Sequence, residues 1–386
     1  MTKVFVHMNR RILFLSSASW NFIWQRHHEL AVHLSKTAHV FFVENTGANR
    51  KISLRDVRRI YERLKRIFQK NAHTHQALPE HIDVKKIFLF PPMNRSFEKL
   101  NSLLLKRWLL KEIRGTVDVI YFNLINKVNA EFLKRFPEAL KVYDNIGNYP
   151  AHAEFIHNYF HLEKQIIAET DVVLTDTYYM LNYYSALHRN VHYFPSAAQV
   201  GRFTCKRNDK KITGRTLLYF GHISRFHFDQ ELIRETAVRH ADWKIVLVGP
   251  VKDKYTFPKN VEAIGQVQHQ ELIRYIEKAD VLCMPYRKND VMKGVFPAKT
   301  FECLATGLPT VVINVPELEK DYSDVFYIAH SNEEFITLCE TAMDENDLKL
   351  RELRQKKANA NTWEIRCQQF DAILEDAMLQ KRGVRA

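Results

Sequence analysis

Residues 295–312 read VFPAKTFECLATGLPTVV, and their order predicts a loop, a short helix and a buried strand. Pro297 suits the first position of a helix, because its missing N–H would be unpaired there anyway. Gly307 and Pro309 are typical of a helix end, and the apolar run after them is typical of a strand. Lys299 and Glu302 would then lie one turn apart on one helix face.

Lys299 is unexpected near the start of a helix, because its positive charge opposes the helix dipole. The arrangement makes sense if an anion shares the site, since the lysine, the dipole and free backbone amides would all converge on a diphosphate. Glu302 could accept hydrogen bonds from two neighbouring hydroxyls, such as those of a ribose. The alternative is a simple Lys–Glu pair on an exposed face, but FECLATGLP is too apolar for an exposed helix.

The rest of the chain alternates strand and helix patterns. RILFLSS, a helical pattern over 20–36 and AHVFFVEN begin a rhythm that continues to ETDVVLTDT at 169–177. The rhythm breaks between Phe194 and Arg215 and restarts at TLLYFGHI, which predicts an α/β protein with two doubly wound, Rossmann-like domains facing a central cleft. The predicted parts are an N-terminal domain (1–198), a linker (199–214), a C-terminal domain (215–361) and a C-terminal helix (362–386) that packs back toward the N-terminal domain.

Composition narrows the class of protein. The chain has 386 residues, of which 46% are hydrophobic and 26% charged, so it can build real cores. It contains no apolar run near eighteen residues and no apolar signal-peptide core, so we expect a cytoplasmic protein. Five cysteines without paired spacing and eighteen histidines without a ligand pattern predict neither a disulfide framework nor a metal site.

The formal net charge of +13 indicates an anionic partner. Two basic segments, 50–70 and 99–114, carry apolar residues at helical spacing. Such helices can lie on an anionic membrane surface. The alternative is an ordinary domain helix with a solvated basic face, and the pattern leaves both open.

The segment DVLCMPYRKNDVMKGVFPAKTFECLATGLPTVV, residues 280–312, resembles the donor-binding segment of GT-B glycosyltransferases of the family 4 type. Chains of that family typically read P-x-K-x-x-E-x-x-A-x-G-x-P-V-V. TLLYFGHI, DWKIVLVGP and NVEAIGQVQHQELIRYIEKADV resemble further strands and helices of the same family. The pattern is matched at Pro297, Lys299, Glu302, Ala305, Gly307 and Pro309.

The resemblance implies that Lys299 contacts the donor diphosphate and Glu302 the nucleotide ribose. The donor would be a nucleotide-diphosphate sugar, with no cofactor and no metal. The predicted donor-binding set is Gly221, Arg225, Gly249, Tyr286, Pro297, Lys299 and Glu302.

Two departures from the family pattern affect the expected chemistry. Many related enzymes carry a glutamate at the position of Gly294, where it contacts the donor sugar. Related chains often read YDxxD where this chain reads YDNIG, so that only Asp144 remains. An inverting reaction needs a base near the acceptor hydroxyl, and Asp144 and His152 are the candidates. In a retaining reaction the leaving diphosphate can take the proton, and Asp144 is equally well explained as a strand-end residue.

The leading interpretation is a glycosyltransferase of bacterial envelope polysaccharide synthesis. Its acceptor would be a glycan or a lipid-linked sugar at the inner face of the plasma membrane. One alternative is a nucleotide-sugar epimerase of the same fold, and another is a non-catalytic nucleotide- or nucleic-acid-binding protein. No nucleic-acid motif supports the last, and the absence of G-x-G-x-x-G after a first strand opposes an NAD-dependent oxidoreductase.

Overall fold

The computed structural model describes residues 10–21, 24–44, 78–87, 89, 95–151, 159–204, 214–251, 253 and 255–383. The chain divides into two compact units. Unit 1 consists of two stretches, the chain up to Phe194 and the chain from Cys367 onward. Unit 2 consists of Pro195 to Arg366.

The described residues of unit 1 form a parallel seven-stranded sheet in the order β3-β2-β1-β4-β5-β6-β7. The order reverses between β1 and β4, as in a doubly wound fold. The strands are β1 (Arg10–Ser16), β2 (Ala38–Glu44), β3 (Ile82–Lys86), β4 (Val119–Phe122), β5 (Leu140–Asn145), β6 (Val172–Thr175) and β7 (Val191–Tyr193). The helices are α1 (Arg26–Leu34), α2 (Arg95–Glu112), α3 (Lys127–Arg135), α4 (Tyr159–Ala168) and α5 (Tyr178–Ser185).

Unit 2 has a parallel six-stranded sheet in the order β10-β9-β8-β11-β12-β13, which reverses between β8 and β11. Its strands are β8 (Thr216–Phe220), β9 (Lys244–Val248), β10 (Val261–Gly265), β11 (Val281–Met284), β12 (Thr310–Ile313) and β13 (Tyr327–Ala329). Its helices are α6 (Gln230–Arg239), α7 (His269–Glu277), α8 (Thr300–Thr306), α9 (Pro316–Tyr322), α10 (Asn332–Met343) and α11 (Leu348–Asn359).

The middle of each central strand is a continuous apolar run because helices cover both faces of a doubly wound sheet. Ile12 to Leu15 of β1 and Leu217 to Phe220 of β8 are all buried. Cys283, Cys303, Cys339 and Cys367 are free and buried among the described residues. The prediction of two doubly wound α/β domains is confirmed.

The first helix is shorter than the sequence predicts. The helical pattern over 20–36 begins only at Arg26, because Gln25 is extended (φ −142°, ψ 174°) and its N–H donates to Nδ1 of His28 at 3.1 Å. Trp20 lies edge-on to the ring of Phe42, with centroids 5.1 Å apart. This aromatic contact holds Trp20 against β2, outside the helix.

The last helix, α12 (Trp363–Lys381), begins in unit 2 and continues into unit 1. Within unit 1, Asp371 lies 2.8 Å from Nε2 of His33. Lys381 Nζ donates to the carbonyl of Ala139 at 2.9 Å and lies 2.8 Å from the carboxylate of Asp171. Ala198, the last residue of the predicted N-terminal domain, and Val200 and Phe203 of the predicted linker lie in the core of unit 2. Within the described ranges, no helix is both long and apolar enough to cross a membrane.

Candidate nucleotide-sugar site

The candidate donor residues gather at the carboxyl ends of β8 and β11, where the strand order of unit 2 reverses. Gly221 follows β8 directly, and Tyr286 follows β11 after one proline. The two loops are joined by a bridge between Phe228 and Tyr286 and by a 2.8 Å hydrogen bond from Asp229 N to the carbonyl of Pro285. Ligands of open parallel sheets bind at such a switch point. The fold therefore brings residues from distant parts of the chain to the expected edge of the sheet.

Gly221 and Gly249 lie where two chain segments approach too closely for a side chain. Their φ angles are +139° and +142°, in the region that favours glycine. A Cβ at Gly221 would collide with Cε and Nζ of Lys299, and a Cβ at Gly249 would collide with the carbonyl of Gly221. The two glycines thus let the end of the Lys299 side chain lie directly against backbone.

Helix α8 begins later than the sequence predicts. Pro297 precedes it, and the carbonyl of Pro297 accepts hydrogen bonds from N and Oγ1 of Thr300 at 3.0 and 2.8 Å. Lys299 is the N-cap residue, with φ −87° and ψ −4°. Its carbonyl accepts a 2.8 Å bond from the N–H of Cys303. The expectation that Pro297 opens the helix and that Lys299 lies in its first turn is wrong, because Pro297 to Thr300 form a separate turn ahead of it.

Lys299 keeps its positive charge although it is half-buried. Burial alone favours the neutral amine, but Tyr219, Tyr286 and Glu302 outweigh that effect, and the pKa of Lys299 is raised. Its ammonium lies 5.2 Å from the centre of the Tyr219 ring. The hydroxyl of Tyr219 donates to the carbonyl of His222 at 2.9 Å. The site therefore presents a permanent cation held among aromatic rings.

Glu302, the third residue of α8, is half-buried beside this cation. Burial raises the pKa of Glu302 to about 7, although Lys299 opposes the shift. Without a ligand, Glu302 therefore changes between acid and carboxylate near neutral pH. The rest of α8 is apolar and buried, including Phe301, Cys303 and Leu304. The helix is thus a core element, as its composition predicts, with one polar edge.

Arg225 is exposed in the loop after β8, and hydrogen bonds to its backbone N–H and carbonyl fix its position. Its N–H donates to Asp253 at 2.8 Å, and its carbonyl accepts from Nη1 of Arg287 at 3.0 Å. The guanidinium of Arg225 lies 5.2 Å from the centre of the Phe226 ring. These bonds tie together the loops that follow β8, β9 and β11. Arg225 thus belongs to the same loop cluster as Gly221, but it lies at its exposed side.

Gly294, which stands where many related enzymes carry a glutamate, is buried at the end of a short 3-10 turn, Met292–Gly294. Among the described residues, no three His, Cys, Asp or Glu side chains are placed to hold a metal ion.

Asp144, the candidate base of unit 1, is fully buried and doubly paired. Arg26 approaches it with Nε at 2.7 Å from Oδ2 and Nη2 at 2.5 Å from Oδ1. The hydroxyl of Tyr121 also donates to Oδ2. Arg26 donates its remaining terminal nitrogen to the carbonyl of Phe194 at 2.7 Å. This geometry favours a structural role, while the catalytic role stays a prediction. His152, the other candidate base, lies outside the described residues.

His27 is a buried polar residue for which the sequence analysis predicts no specific role. Ser17 N donates to Oδ1 of Asn123 at 3.2 Å, so the Asn123 amide nitrogen faces Nε2 of His27 at 2.9 Å. Nε2 must then accept, and the ring proton lies on Nδ1. Burial lowers the pKa of His27 to about 4, so the ring is neutral at pH 7. Asn123 follows β4 and Ser17 follows β1, at the switch point of unit 1. Polar residues directly after two predicted strands are a signal in the sequence that could have indicated this cluster.

Comparison with known proteins agrees with this geometry. Residues 214–344 match the family model described as glycosyl transferases group 1. A Bacillus subtilis protein named for teichuronic acid biosynthesis, the glycosyltransferase TuaH, is 27% identical over 215 residues. That match covers 52% of this chain and 53% of the relative, so the chain spans about half the length of the curated relative it matches.

Solved structures resemble the whole chain. Sucrose-phosphate synthase of Thermosynechococcus elongatus has a TM-score of 0.68 at 13% identity, covering 96% of this chain and 100% of the other. HepE of Anabaena, solved in complex with UDP, has a TM-score of 0.66 at 11% identity. This match covers 95% of this chain and 100% of HepE. At such identities the likeness concerns the fold alone. The chain has the GT-B fold.

Proposed function

We propose that this protein is a nucleotide-sugar-dependent glycosyltransferase of bacterial envelope polysaccharide synthesis. The premise is that residues 214–344 match the model of group 1 glycosyl transferases and that the chain has the GT-B fold. One observation carries the proposal. The protonated Lys299 lies against Gly221, at the switch point of the unit 2 sheet, with Glu302 beside it. A half-buried cation at this place suits a diphosphate better than any role in the core.

In the proposed reaction, Lys299 binds the diphosphate of the donor and stabilises the negative charge that grows on it as the sugar leaves. Charge stabilisation by a fixed group in a partly water-excluded site is usually a large part of catalysis. Arg225, at the exposed side of the same loops, would approach the phosphates as the donor binds. The proposal needs no metal and no cofactor, because Lys299 supplies the positive charge.

Glu302 would accept hydrogen bonds from the ribose hydroxyls in its carboxylate form. The nearby charge of Lys299 favours that form, and a bound ribose would favour it further by donating to it. Gly221 and Gly249 keep the backbone close enough for the donor to reach Lys299. Gly294 leaves no carboxylate at the place where many related enzymes contact the donor sugar.

The acceptor in this proposal is a glycan or a lipid-linked sugar, bound through unit 1 at the cytoplasmic face of the plasma membrane. The positive charge of the chain suits an anionic or membrane-borne acceptor. A base is required only if the reaction inverts the anomeric centre. Because both oxygens of Asp144 are engaged by Arg26 and Tyr121, a retaining reaction, in which the leaving diphosphate takes the proton, fits unit 1 better.

A thermal-shift screen against nucleoside diphosphates and nucleotide sugars tests the donor site. UDP and UDP-glucose come first, since HepE was solved with both. A ligand at about a hundred times its dissociation constant adds roughly 2.7 kcal/mol to the unfolding free energy. For domains of this size the melting temperature should rise by roughly 5–10 °C.

The matched variants are Glu302→Gln and Glu271→Gln. Both residues are the third of a helix, α8 and α7, so each change removes the same helix-end charge. The shift should be clearly smaller in Glu302→Gln and unchanged in Glu271→Gln. No shift with any nucleotide, in a protein that unfolds cooperatively, would refute the donor site.

A second assay separates transfer from the alternatives. The protein is incubated with the nucleotide sugar that binds, with and without a membrane extract that contains lipid-linked acceptors. Transfer requires a new glycan product that depends on the extract. Release of nucleoside diphosphate without such a product would instead favour a nucleotide-sugar epimerase.

A further inference from the structure

The outer face of α2 has an unusual composition. Seven side chains between residues 99 and 112 are exposed, and all are either leucine or basic. Leu100, Leu103 and Leu110 expose 39%, 49% and 67% of their surface. A solvated helix face normally mixes acids and neutral polar residues with its bases. The seven residues are Lys99, Leu100, Leu103, Lys106, Arg107, Leu110 and Lys111.

The inner face shows that these leucines are not needed by the core. Leu105 and Leu109 are buried in the core of unit 1. The indole N–H of Trp108 donates to the carbonyl of Lys86 at 3.0 Å. Glu112, the acid at the end of the helix, lies 3.3 Å from Lys85 of β3. The helix is thus fixed on unit 1 by a separate set of contacts, which leaves the outer face available.

We propose that this outer face of α2 docks on an anionic lipid surface. Leu103 and Leu110 would enter the boundary between headgroups and acyl chains, while Lys106 and Arg107 contact the headgroup phosphates. Residues 100, 103, 107 and 110 follow helical spacing, so the apolar and basic groups share one stripe. The inference concerns where the protein works and does not depend on the transfer reaction.

Other occupants fit this face less well. A second copy of the chain would place four bases opposite four bases with no exposed acid between them. A nucleic acid would engage the bases, but it offers nothing apolar for three leucines. Only a surface that is anionic outside and apolar just beneath satisfies both kinds of side chain.

The experiment is co-sedimentation of the full chain with vesicles of phosphatidylcholine, with or without about 30% phosphatidylglycerol, at low and high salt. Binding is expected to anionic vesicles only, and it should weaken as salt rises. Lys106→Glu/Arg107→Glu should weaken binding roughly tenfold or more. Leu110→Ser should weaken it severalfold without changing the salt dependence.

Helix α11 supplies matched controls. Lys349→Glu/Lys356→Glu makes the same change in charge, and Leu348→Ser removes a leucine that is 60% exposed. These variants should bind vesicles like the unchanged protein. A retained thermal shift with UDP in every variant would separate a failure of docking from a failure of the donor site.

Three results would overturn the proposal. The first is equal binding to neutral and anionic vesicles. The second is unchanged binding of the α2 variants. The third is a dimer, seen by light scattering, that the α2 variants dissociate.

Discussion

The ammonium of Lys299 lies at the edge of the sheet, in the space that a side chain at Gly221 would occupy. Burial should neutralise an isolated lysine, yet Tyr219, Tyr286 and Glu302 keep this one charged. Burial also favours the neutral form of the neighbouring Glu302, and here it outweighs the attraction of Lys299, so the pKa of Glu302 is raised. One half-buried pair therefore holds a permanent cation and a carboxyl group that titrates near pH 7.

Lys299→Met should weaken UDP binding by roughly 10- to 100-fold, because a hydrogen bond to a charged group contributes about 1.5–3 kcal/mol. The unfolding free energy without ligand should fall little, since the change also removes a desolvated charge. Titration calorimetry and denaturant unfolding measure the two quantities. Lys278→Met, an exposed lysine of unit 2, is the control, and equal affinity in both variants would contradict the assigned role.

The affinity for UDP should fall severalfold as the pH is lowered from 8 to 6. The pKa of Glu302 is raised to about 7, so the ligand-free site becomes protonated below that pH and loses its acceptor for the ribose hydroxyls. The folded protein binds the proton of Glu302 more tightly than the unfolded chain does. The unfolding free energy therefore falls as the pH rises from 4.5, the pKa of Glu302 in the unfolded chain, to about 7. Calorimetry across this range tests the first statement. The phosphate of UDP also titrates in this pH range, and Glu302→Gln measures that contribution. The UDP affinity of this variant should lack the additional fall that Glu302 causes.

At the scale of elements, the loops after β8 and β9 depend on glycine for their close approach. Gly249 N donates to the carbonyl of Gly265 at 2.8 Å, and Gly221 N donates to that of Val248 at 2.8 Å. These bonds fix the two loops, and the end of the Lys299 side chain lies against the first of them at Gly221. Both glycines were predicted from a resemblance alone. A Cβ at Gly221 would collide with Lys299, about eighty positions further along the chain, and a Cβ at Gly249 would collide with the carbonyl of Gly221.

Gly221→Ala should weaken UDP binding by up to as much as Lys299→Met and lower the unfolding free energy by about 1–3 kcal/mol, because it displaces the lysine and places alanine at an unfavourable φ. Gly201→Ala is the matched control in unit 2, since a Cβ there meets nothing within 4 Å. Denaturant unfolding and calorimetry measure both effects. Nucleotide binding at full strength in Gly221→Ala would show that Lys299 need not lie against this backbone.

Sequence patterns failed at the edges of the sheets and at helix starts. The strands β3, β7 and β13 are short and only partly buried, so they lack the apolar run that marks the central strands. The helix predicted from residue 20 begins at Arg26, because aromatic contacts of Trp20 override its local helical pattern. Helix α8 likewise begins after its proline, because Thr300 closes a turn on Pro297.

At the scale of the whole molecule, the candidate residues divide between two compact units. Unit 2 carries Lys299 and Glu302, which we propose bind the diphosphate and the ribose, while unit 1 carries Asp144, Arg26 and the outer face of α2. Substitutions in unit 1 should therefore change stability, acceptor use or membrane binding and leave nucleotide affinity alone.

Asp144→Asn should lower the unfolding free energy of unit 1 by about 3–5 kcal/mol, because it leaves the buried Arg26 without its partner. The dissociation constant for UDP should stay within about twofold. Arg26→Met/Asp144→Asn should recover part of the lost stability, since no charge then remains unpaired. If the double variant folds stably but transfers no sugar while Arg26→Met alone does, Asp144 acts in the reaction.

The sequence by itself determined the two doubly wound units and the donor motif of unit 2. Buried parallel strands are recognised by their continuous apolar runs, and Lys299 and Glu302 are near neighbours in the chain, so both signals are local. Only the tertiary structure decided that Tyr219 and Tyr286 surround Lys299, and that Arg26 binds Asp144 across 118 residues. It also decided which leucines of α2 face outward. These contacts join residues far apart in sequence, and no periodicity along the chain encodes which of them meet.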